Sequence, residues 1–313
     1  PLWSRGLGDV YKRQGEVIPY DRLVLATGSA PFVPPVPGRD RPHCFVYRTI
    51  EDLEAMQASA ARSRTGVVVG GGLLGLECAK ALRDLGLETH VVEFAPRLMA
   101  VQVDDGGGRV LRSKIEDLGV QVHTGRNTLE ITDGATARHR MVFADGTHLE
   151  TDMIVFSAGI RPRDEIARQC ALAIGPRGGV AVDDHCRTSD RNVYAIGECA
   201  SWREQTFGLV APGYDMARVA ARHIAGEAEA AFGGADLSTK LKLMGVDVAS
   251  IGDAHGKTPG CRSFSYTDEL RQIYKRIVVS EDGKLLLGAV LVGDATEYSL
   301  SLIHISEPTR PER

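Results

Sequence analysis

The chain has 313 residues, 43% hydrophobic and 25% charged, with a formal net charge of −4. These are ordinary values for a globular protein long enough for more than one domain, and the weak acidic balance gives no pull toward nucleic acid. Its six cysteines show no C-x-x-C or metal-ligand spacing, which argues against a zinc site, an iron-sulfur cluster or a redox disulfide in this stretch.

The longest apolar stretch, around residues 66–76, is too short and glycine-rich to span a bilayer, and nothing resembles a signal peptide, so a cytoplasmic location is expected. The two ends read differently from the rest. Residues 1–14 back-translate to a DNA whose reverse complement encodes LSLIHISEPTRPER, which is residues 300–313. Such an inverted repeat reads as translated sequencing-library adapter, leaving residues 15–299 as the native part of a longer parent.

In chain order, residues 20–29, YDRLVLATGS, read as a buried strand entering a Thr-Gly turn, and the proline-rich run at 31–37 as a stiff extended linker between domains. Thr49 and Asp52 have the spacing of a capping box for a helix carrying Leu53 and Met56.

The most informative stretch is 66–93, GVVVGGGLLGLECAKALRDLGLETHVVE. A β-branched run enters Gly70, Gly72 and Gly75, a G-x-G-x-x-G where strand turns into helix. Gly70 makes the tight turn, Gly72 lets a pyrophosphate approach the backbone, and Gly75 lets the helix pack closely on the strand. Phosphates would sit on the unpaired amides of a helix starting near Leu73, with Leu74 and Gly75 in its first turn. That helix carries Leu74, Cys78, Ala81, Leu82 and Leu85 on one face and stops at Gly86.

The following strand, 87–92, runs into Glu93, about 20 residues beyond the turn, where a carboxylate accepts ribose hydroxyls. A G-x-G-x-x-G alone could be a turn that binds nothing; strand, helix, helix stop and acid together point to a dinucleotide. The charge of Glu93 would repel a 2′-phosphate, whereas Arg97 could attract one; the acid weighs more, which favours NAD(H). Glu77, one turn into the helix, is a candidate for the nicotinamide side and equally a solvated helix-face glutamate.

Beyond Glu93 come a helix at 110–118 stopped by Gly119, a strand at 120–123, strands at 128–131 and 140–143 with an Asp145-Gly146 turn, and a buried strand at 153–157 ending in Ala158-Gly159. The block 48–160 thus reads as a mononucleotide-binding fold with a small meander inserted. From Arg161 the chain returns to the earlier domain through a helix at 164–170, strands near 180–183 and an apolar strand at 193–196 that presents Gly197 and Glu198. A strand ending in Gly-Glu is, taken alone, more often just a turn. Strands follow at 246–251, 273–279 and 285–292, and Asp253 with His255 forms a loop pair that reads as hydrogen-bonded structure rather than a metal site.

Ala26-Thr27-Gly28, Gly70 to Gly75, Ala158-Gly159 with Arg161-Pro162, and Gly197-Glu198 in place of the commoner Gly-Asp occur in the order that marks one family. The chain resembles the flavoprotein reductases with two dinucleotide-binding domains, of the pyridine nucleotide-disulfide oxidoreductase type. That resemblance implies an α/β fold with two Rossmann-like domains, the NAD domain inserted in a truncated FAD domain, plus a small C-terminal α+β domain. Residues 15–47 and 161–234 would be FAD-domain remnants, 48–160 the NAD domain and 235–299 the C-terminal reductase domain. It implies NAD(H) and FAD as cofactors, with Thr27 and Gly28 near the flavin, Glu198 beside Gly197 on its ribityl chain, and Gly159 near the nicotinamide. Hydride transfer between stacked rings needs orientation more than proton transfer, so no catalytic acid or base is expected.

GSAPFVPPVPG, VVEFAPRLMAVQVDDGGG, VAPGYDMA and LKLMGVDVASIGDAHG further resemble the large subunits of NADH-dependent assimilatory nitrite reductases, over essentially all of 15–299. This implies an electron-entry module for reduction of nitrite to ammonium, with an iron-sulfur cluster and sirohaem in a part of the parent beyond this chain and a small nitrite reductase subunit as partner. Two alternatives stay open: an NADH:rubredoxin or ferredoxin reductase, and a truncated NAD-binding chain without flavin. No membrane partner is expected.

Overall fold

A computed structural model describes residues 19–299 together with Ser301 and Ile305. The runs read as adapter, 1–14 and 300–313, lie outside the described residues apart from those two. The chain forms two compact units: one ends at Ser29 and resumes over Pro162–Ala235, and the other is Ala30–Arg161 continued from Asp236.

In the second unit five strands make a parallel sheet in the order Cys44–Val46, Met153–Phe156, Thr65–Val69, Glu88–Glu93, Val120–Thr124. Both faces of the sheet are covered, so Thr65–Val69 and Met153–Phe156 read as apolar runs, while Thr89 and His90 are polar residues buried in the neighbouring strand. Val68, Val91 and Val155 join the core formed with the helices α1 (Ile50–Ala60), α2 (Leu73–Asp84) and α3 (Asp105–Asp117). Val67, Val92 and Ile154 point the other way and pack on the antiparallel meander Thr128–Asp133, His139–Phe143, His148–Thr151.

The Thr49–Asp52 capping box forms as its spacing predicts. The buried face of α2 is Gly75, Leu76, Cys78, Ala79 and Leu82, while Leu74 and Leu85 are 41% and 44% exposed. The expected stripe was therefore rotated: Gly75 pressed against the turn fixes which side meets the sheet, and Leu74 lies about 100° round the helix from it. Helix α3 starts earlier than its apolar pattern suggests, because the Asp104 carboxylate caps it by accepting the Gly107 N–H at 3.1 Å. Three consecutive glycines in the first turn conceal that start.

The proline-rich run, expected as a stiff linker between domains, lies inside the second unit. Val33 and Val36 pack against the meander core, and a side chain on Gly38 would collide with the Ile131 carbonyl, 2.0 Å from its Cβ. The unit division thus falls after Ser29, where the sequence suggested residue 47.

Beyond Asp236 the same unit carries an antiparallel sheet in the order Thr239–Leu243, Val246–Gly252, Leu286–Val292, Ile273–Val279, Arg262–Asp268. Its Val248, Tyr274, Val290 and Val292 share one core with Leu111 and Ile115 of α3. The three inner strands match the expected ones and the two edges go beyond them; Arg262–Asp268 alternates Phe264 and Tyr266 with polar residues, yet both rings are exposed and the strand has no buried residue.

The first unit is smaller. Leu23–Leu25 pairs in parallel with Val193–Ala195, and Val180–Val182 with Ala200–Trp202. The helices α4 (Glu165–Gln169) and α5 (Val210–Ile224) accompany them, around a core that includes Leu25, Tyr194, Trp202, Phe207, Met216 and Phe232. Helix α5 goes beyond the elements expected from sequence; Pro212 and Gly213 lie in its first turn, where proline fits because the N–H groups there have no intrahelical acceptor. Among the described residues no helix is long and apolar enough to cross a membrane.

Candidate functional site

The glycine turn is locked from three sides. Gly70 has φ +120°, and a Cβ there would lie 2.2 Å from the Ser157 carbonyl oxygen. At Gly75 a Cβ would lie 1.9 Å from the Gly70 carbonyl oxygen, so the close approach is of helix to turn rather than of helix to strand. At Gly71, which carried no assigned role, a Cβ would meet Leu98 at 2.6 Å. Gly72, the N-cap of α2, faces open space with no side-chain cap. Leu73 and Leu74 complete the first helical turn, the former packed on the core and the latter exposed.

Glu93, at the end of its strand, is tied to this turn: its carboxylate accepts the N–H of Gly71 and, at 2.6 Å, the N–H of Ala95. Arg97 is engaged elsewhere. It donates to the Val103 carbonyl at 3.0 Å and to Asp105 at 2.7 Å, in space left by Gly108. Glu77 is exposed on α2 and lies near the Tyr47 hydroxyl, which fits the solvated helix-face reading.

Gly70, Gly72, Glu93 and Gly159 line one cavity of about 750 Å³, within the size range of small-molecule sites. Leu73, Leu74, Gly75 and Glu77 are not on its wall. Gly159 has φ +106° and nothing within 4 Å of a built Cβ, and its carbonyl accepts the Phe32 N–H at 2.9 Å. The rest of the wall comes from the strand ends at Val69, Val92, Phe94–Ala95 and Phe156–Ala158 and from three segments that carry no nucleotide-binding motif: Phe32 with residues 34–36, residues 99–102, and residues 126–129. Arg126 is the cation of this wall and is paired with Asp145. The signal available beforehand was the apolar run FAPRLMAV directly after the acid.

In the first unit, parallel pairing of Leu23–Leu25 with Val193–Ala195 brings their carboxyl ends together. Thr27–Ser29 and Gly197–Glu198 therefore meet: the Ser29 hydroxyl donates to Glu198 at 2.6 Å, and the Thr27 hydroxyl donates to the Arg163 carbonyl at 2.6 Å. Gly28 and Gly197 adopt φ +69° and +74° with nothing within 4 Å of a built Cβ.

The six cysteines are free thiols, and burial pushes Cys78 and Cys186 up to about 12 and Cys44 to about 11, so none of these three is a thiolate at neutral pH. Asp253 accepts the N–H groups of Lys257 and Thr258, and His255 donates to the Val101 carbonyl at 2.8 Å, so this pair is hydrogen-bonded structure. Among the described residues no group of three His, Cys, Asp or Glu is arranged to hold a metal ion.

With this geometry in hand, the relatives are informative. Residues 5–223 match the pyridine nucleotide-disulphide oxidoreductases, and residues 238–307 match the C-terminal domain of rubredoxin NAD+ reductases. The chain belongs to the pyridine nucleotide-disulphide oxidoreductase family. It is 60% identical over 308 residues to the nitrite reductase (NADH) large subunit of Escherichia coli K12, covering 97% of this chain and 36% of that protein. It is 33% identical over 201 residues to the rubredoxin-NAD(+) reductase of Pseudomonas putida, covering 64% of this chain and 52% of that protein. Among solved structures, an NAD-dependent persulfide reductase from A. fulgidus matches with a TM-score of 0.82 at 26% identity, covering 93% of this chain and 58% of that one. The chain spans about a third of the length of the bacterial nitrite reductases it matches, 36% and 31%.

Proposed function

We propose that this chain is the nucleotide-entry portion of an NADH-dependent flavoprotein reductase whose parent passes electrons on toward nitrite. The observation that carries the reading is the meeting of Gly70, Gly72, Glu93 and Gly159 on one cavity at the carboxyl ends of parallel strands, where open α/β sheets bind ligands. Phosphates would rest on Gly72 and the amides of Leu73, Leu74 and Gly75 at the start of α2. Glu93 would accept ribose hydroxyls with lone pairs left over from its two backbone partners. The nicotinamide end would lie toward Gly159.

Thr27, Gly28, Gly197 and Glu198 fit part of an FAD site, because the open left-handed glycines leave room beside the backbone and a carboxylate can take ribityl hydroxyls. FAD, when bound, supplies the acceptor for a hydride from the nicotinamide. The contribution of this chain is binding and orientation, and no acid or base is assigned. Nitrite as the final acceptor rests on the 60% identity to the E. coli large subunit. The cluster and sirohaem would belong to the remainder of the parent, with a small nitrite reductase subunit as partner and the cytoplasm as location. The match of residues 238–307 favours a second reading, an NADH:rubredoxin or ferredoxin reductase.

Titration of the chain with NADH, followed by nucleotide fluorescence, tests the site; absence of saturable binding overturns it. Recovering the reading frame past residue 299 separates the two parents. Cysteine clusters with NADH-dependent formation of ammonium from nitrite support the first, and a nearby stop codon with rubredoxin or ferredoxin reduction supports the second.

A further inference from the structure

The cavity wall that follows Glu93 is held at both ends, and only one end belongs to the parallel sheet. At the inner end the Met99 N–H donates to the Gly71 carbonyl at 2.9 Å, and Leu98 and Met99 are fully buried. Met99 has φ +47°, a conformation that a side-chain-bearing residue keeps only where its surroundings enforce it. The segment then lines the cavity through residues 99–102.

At the outer end it is fastened by the sheet beyond Asp236. His255 Nε2 donates to the Val101 carbonyl at 2.8 Å. One oxygen of Asp104 accepts both the Tyr274 hydroxyl at 2.6 Å and the Arg276 guanidinium at 2.9 Å, while its other oxygen caps α3. The Arg276 and Asp104 side chains are only 17% and 16% exposed, so this charge-assisted cluster is poorly screened. The fit leaves little slack: a Cβ on Gly106 would stand 2.4 Å from the Tyr274 ring.

None of Tyr274, Arg276 and His255 touches the cavity, yet residues 99–104 run from them to the backbone of the phosphate turn. We propose that Tyr274, Arg276 and His255 are positioning residues for NADH: the C-terminal sheet clamps residues 99–104, and the clamp keeps Gly71 and the cavity wall in the arrangement that receives the dinucleotide. The proposal rests on the reading of the cavity as an NADH site. A merely structural cluster would lower stability without selectively lowering affinity.

The test uses the full chain and NADH as the probe, with His255→Ala, His255→Gln, Tyr274→Phe and Arg276→Met, each checked for an unchanged circular dichroism spectrum. The clamp predicts that the Kd for NADH rises about 3- to 30-fold in His255→Ala, Tyr274→Phe and Arg276→Met, and that His255→Gln, which keeps a donor, recovers most of the loss. Amide exchange over residues 99–104 should quicken in the same variants. If Arg276→Met does not fold, the loss of one hydroxyl in Tyr274→Phe and of one half-buried ring in His255→Ala still decides. A wild-type chain that binds NADH alongside variants of unchanged Kd overturns the clamp alone, as does equal loss in His255→Ala and His255→Gln. A wild-type chain that binds no NADH overturns the nucleotide reading and the clamp with it.

Discussion

The glycine turn of the second unit follows Thr65–Val69, an inner strand of a five-stranded sheet, whereas Thr27–Gly28 and Gly197–Glu198 follow the strands of a two-stranded sheet, in which Tyr194 makes one further bridge, to Arg187. The surroundings differ in the same sense. Added side chains on Gly70 and Gly75 would strike backbone at 2.2 and 1.9 Å, while Gly28 and Gly197 would meet nothing within 4 Å. One turn is held by backbone packing that admits no side chain; the other is held by the hydrogen bonds of Thr27 and Ser29 and leaves open space beside its glycines. A site of the first kind is formed before its ligand arrives; one of the second kind needs further structure to become a site.

The largest expected consequence is in affinity. The purified chain should bind NADH saturably and retain no stoichiometric flavin, because its flavin-side residues offer open turns on two-stranded sheets and no locked phosphate turn among the described residues. The flavin absorbance spectrum of the purified protein, with an NADH-dependent dye-reduction assay, checks this. A yellow, active preparation would show that the open half suffices.

Next in size is the contrast between glycines. Gly70→Ala combines left-handed φ with a backbone collision and should cost about 3 to 5 kcal/mol; Gly28→Ala meets only the left-handed penalty, about 1 to 2 kcal/mol. Urea midpoints for the two variants measure the difference. Similar losses would mean that the turn at Gly70 relaxes and is not locked.

Glu93 comes third. Glu93→Ala leaves the Gly71 and Ala95 amides without their acceptor and should weaken NADH binding by about 1 to 3 kcal/mol. Wild-type chain should prefer NADH to NADPH strongly, since Arg97 is held by Val103 and Asp105. Equal fluorescence-titration affinities for the two nucleotides would move the discrimination to Arg126 on the cavity wall.

What could be read in advance was local. The Thr49–Asp52 cap, the Gly70–Gly75 turn and the acid at Glu93 each depend on residues a few positions apart or on one strand–helix–strand unit, and each forms. The face of α2 was misjudged because a Gly-to-carbonyl contact, not apolar spacing, orients it. Most of the cavity wall was illegible for a different reason. Phe32, Met99 and Asn127 are brought together by the sheet from three separate loops, and nothing in their own neighbourhoods announces it. Tyr274 and Arg276 reach Asp104 across about 170 residues of chain.

The smallest effect distinguishes the units by pH. Burial is the leading cause that lowers the pKa of His43, His90, His123 and His139 in the second unit, and of His223 in the first, where the charge of His185 adds to it. Each folded value lies below the ordinary 6.5, so the unfolded chain takes up the proton more readily. Stability from these groups is complete above about pH 6.5 and declines as pH falls through it. Carboxylates such as Asp294, held at about 2 by Lys275, stay charged across this window and do not mask the effect. The stacked rings of His90 and His123 share one hydrogen bond of 3.1 Å, Nδ1 to Nε2, which two imidazolium rings would convert into donor against donor. The second unit should therefore lose more stability than the first in mild acid. With Trp3 replaced by phenylalanine, Trp202, 7% exposed in the core of the first unit, becomes the sole indole, while circular dichroism reports both units. Between about pH 7.5 and about pH 5.5 the dichroism transition should fall by a few degrees more than the Trp202 transition, and His123→Asn should narrow the gap. If the Trp202 transition falls as far or further, the greater number of buried imidazoles is not what sets the acid sensitivity of the second unit.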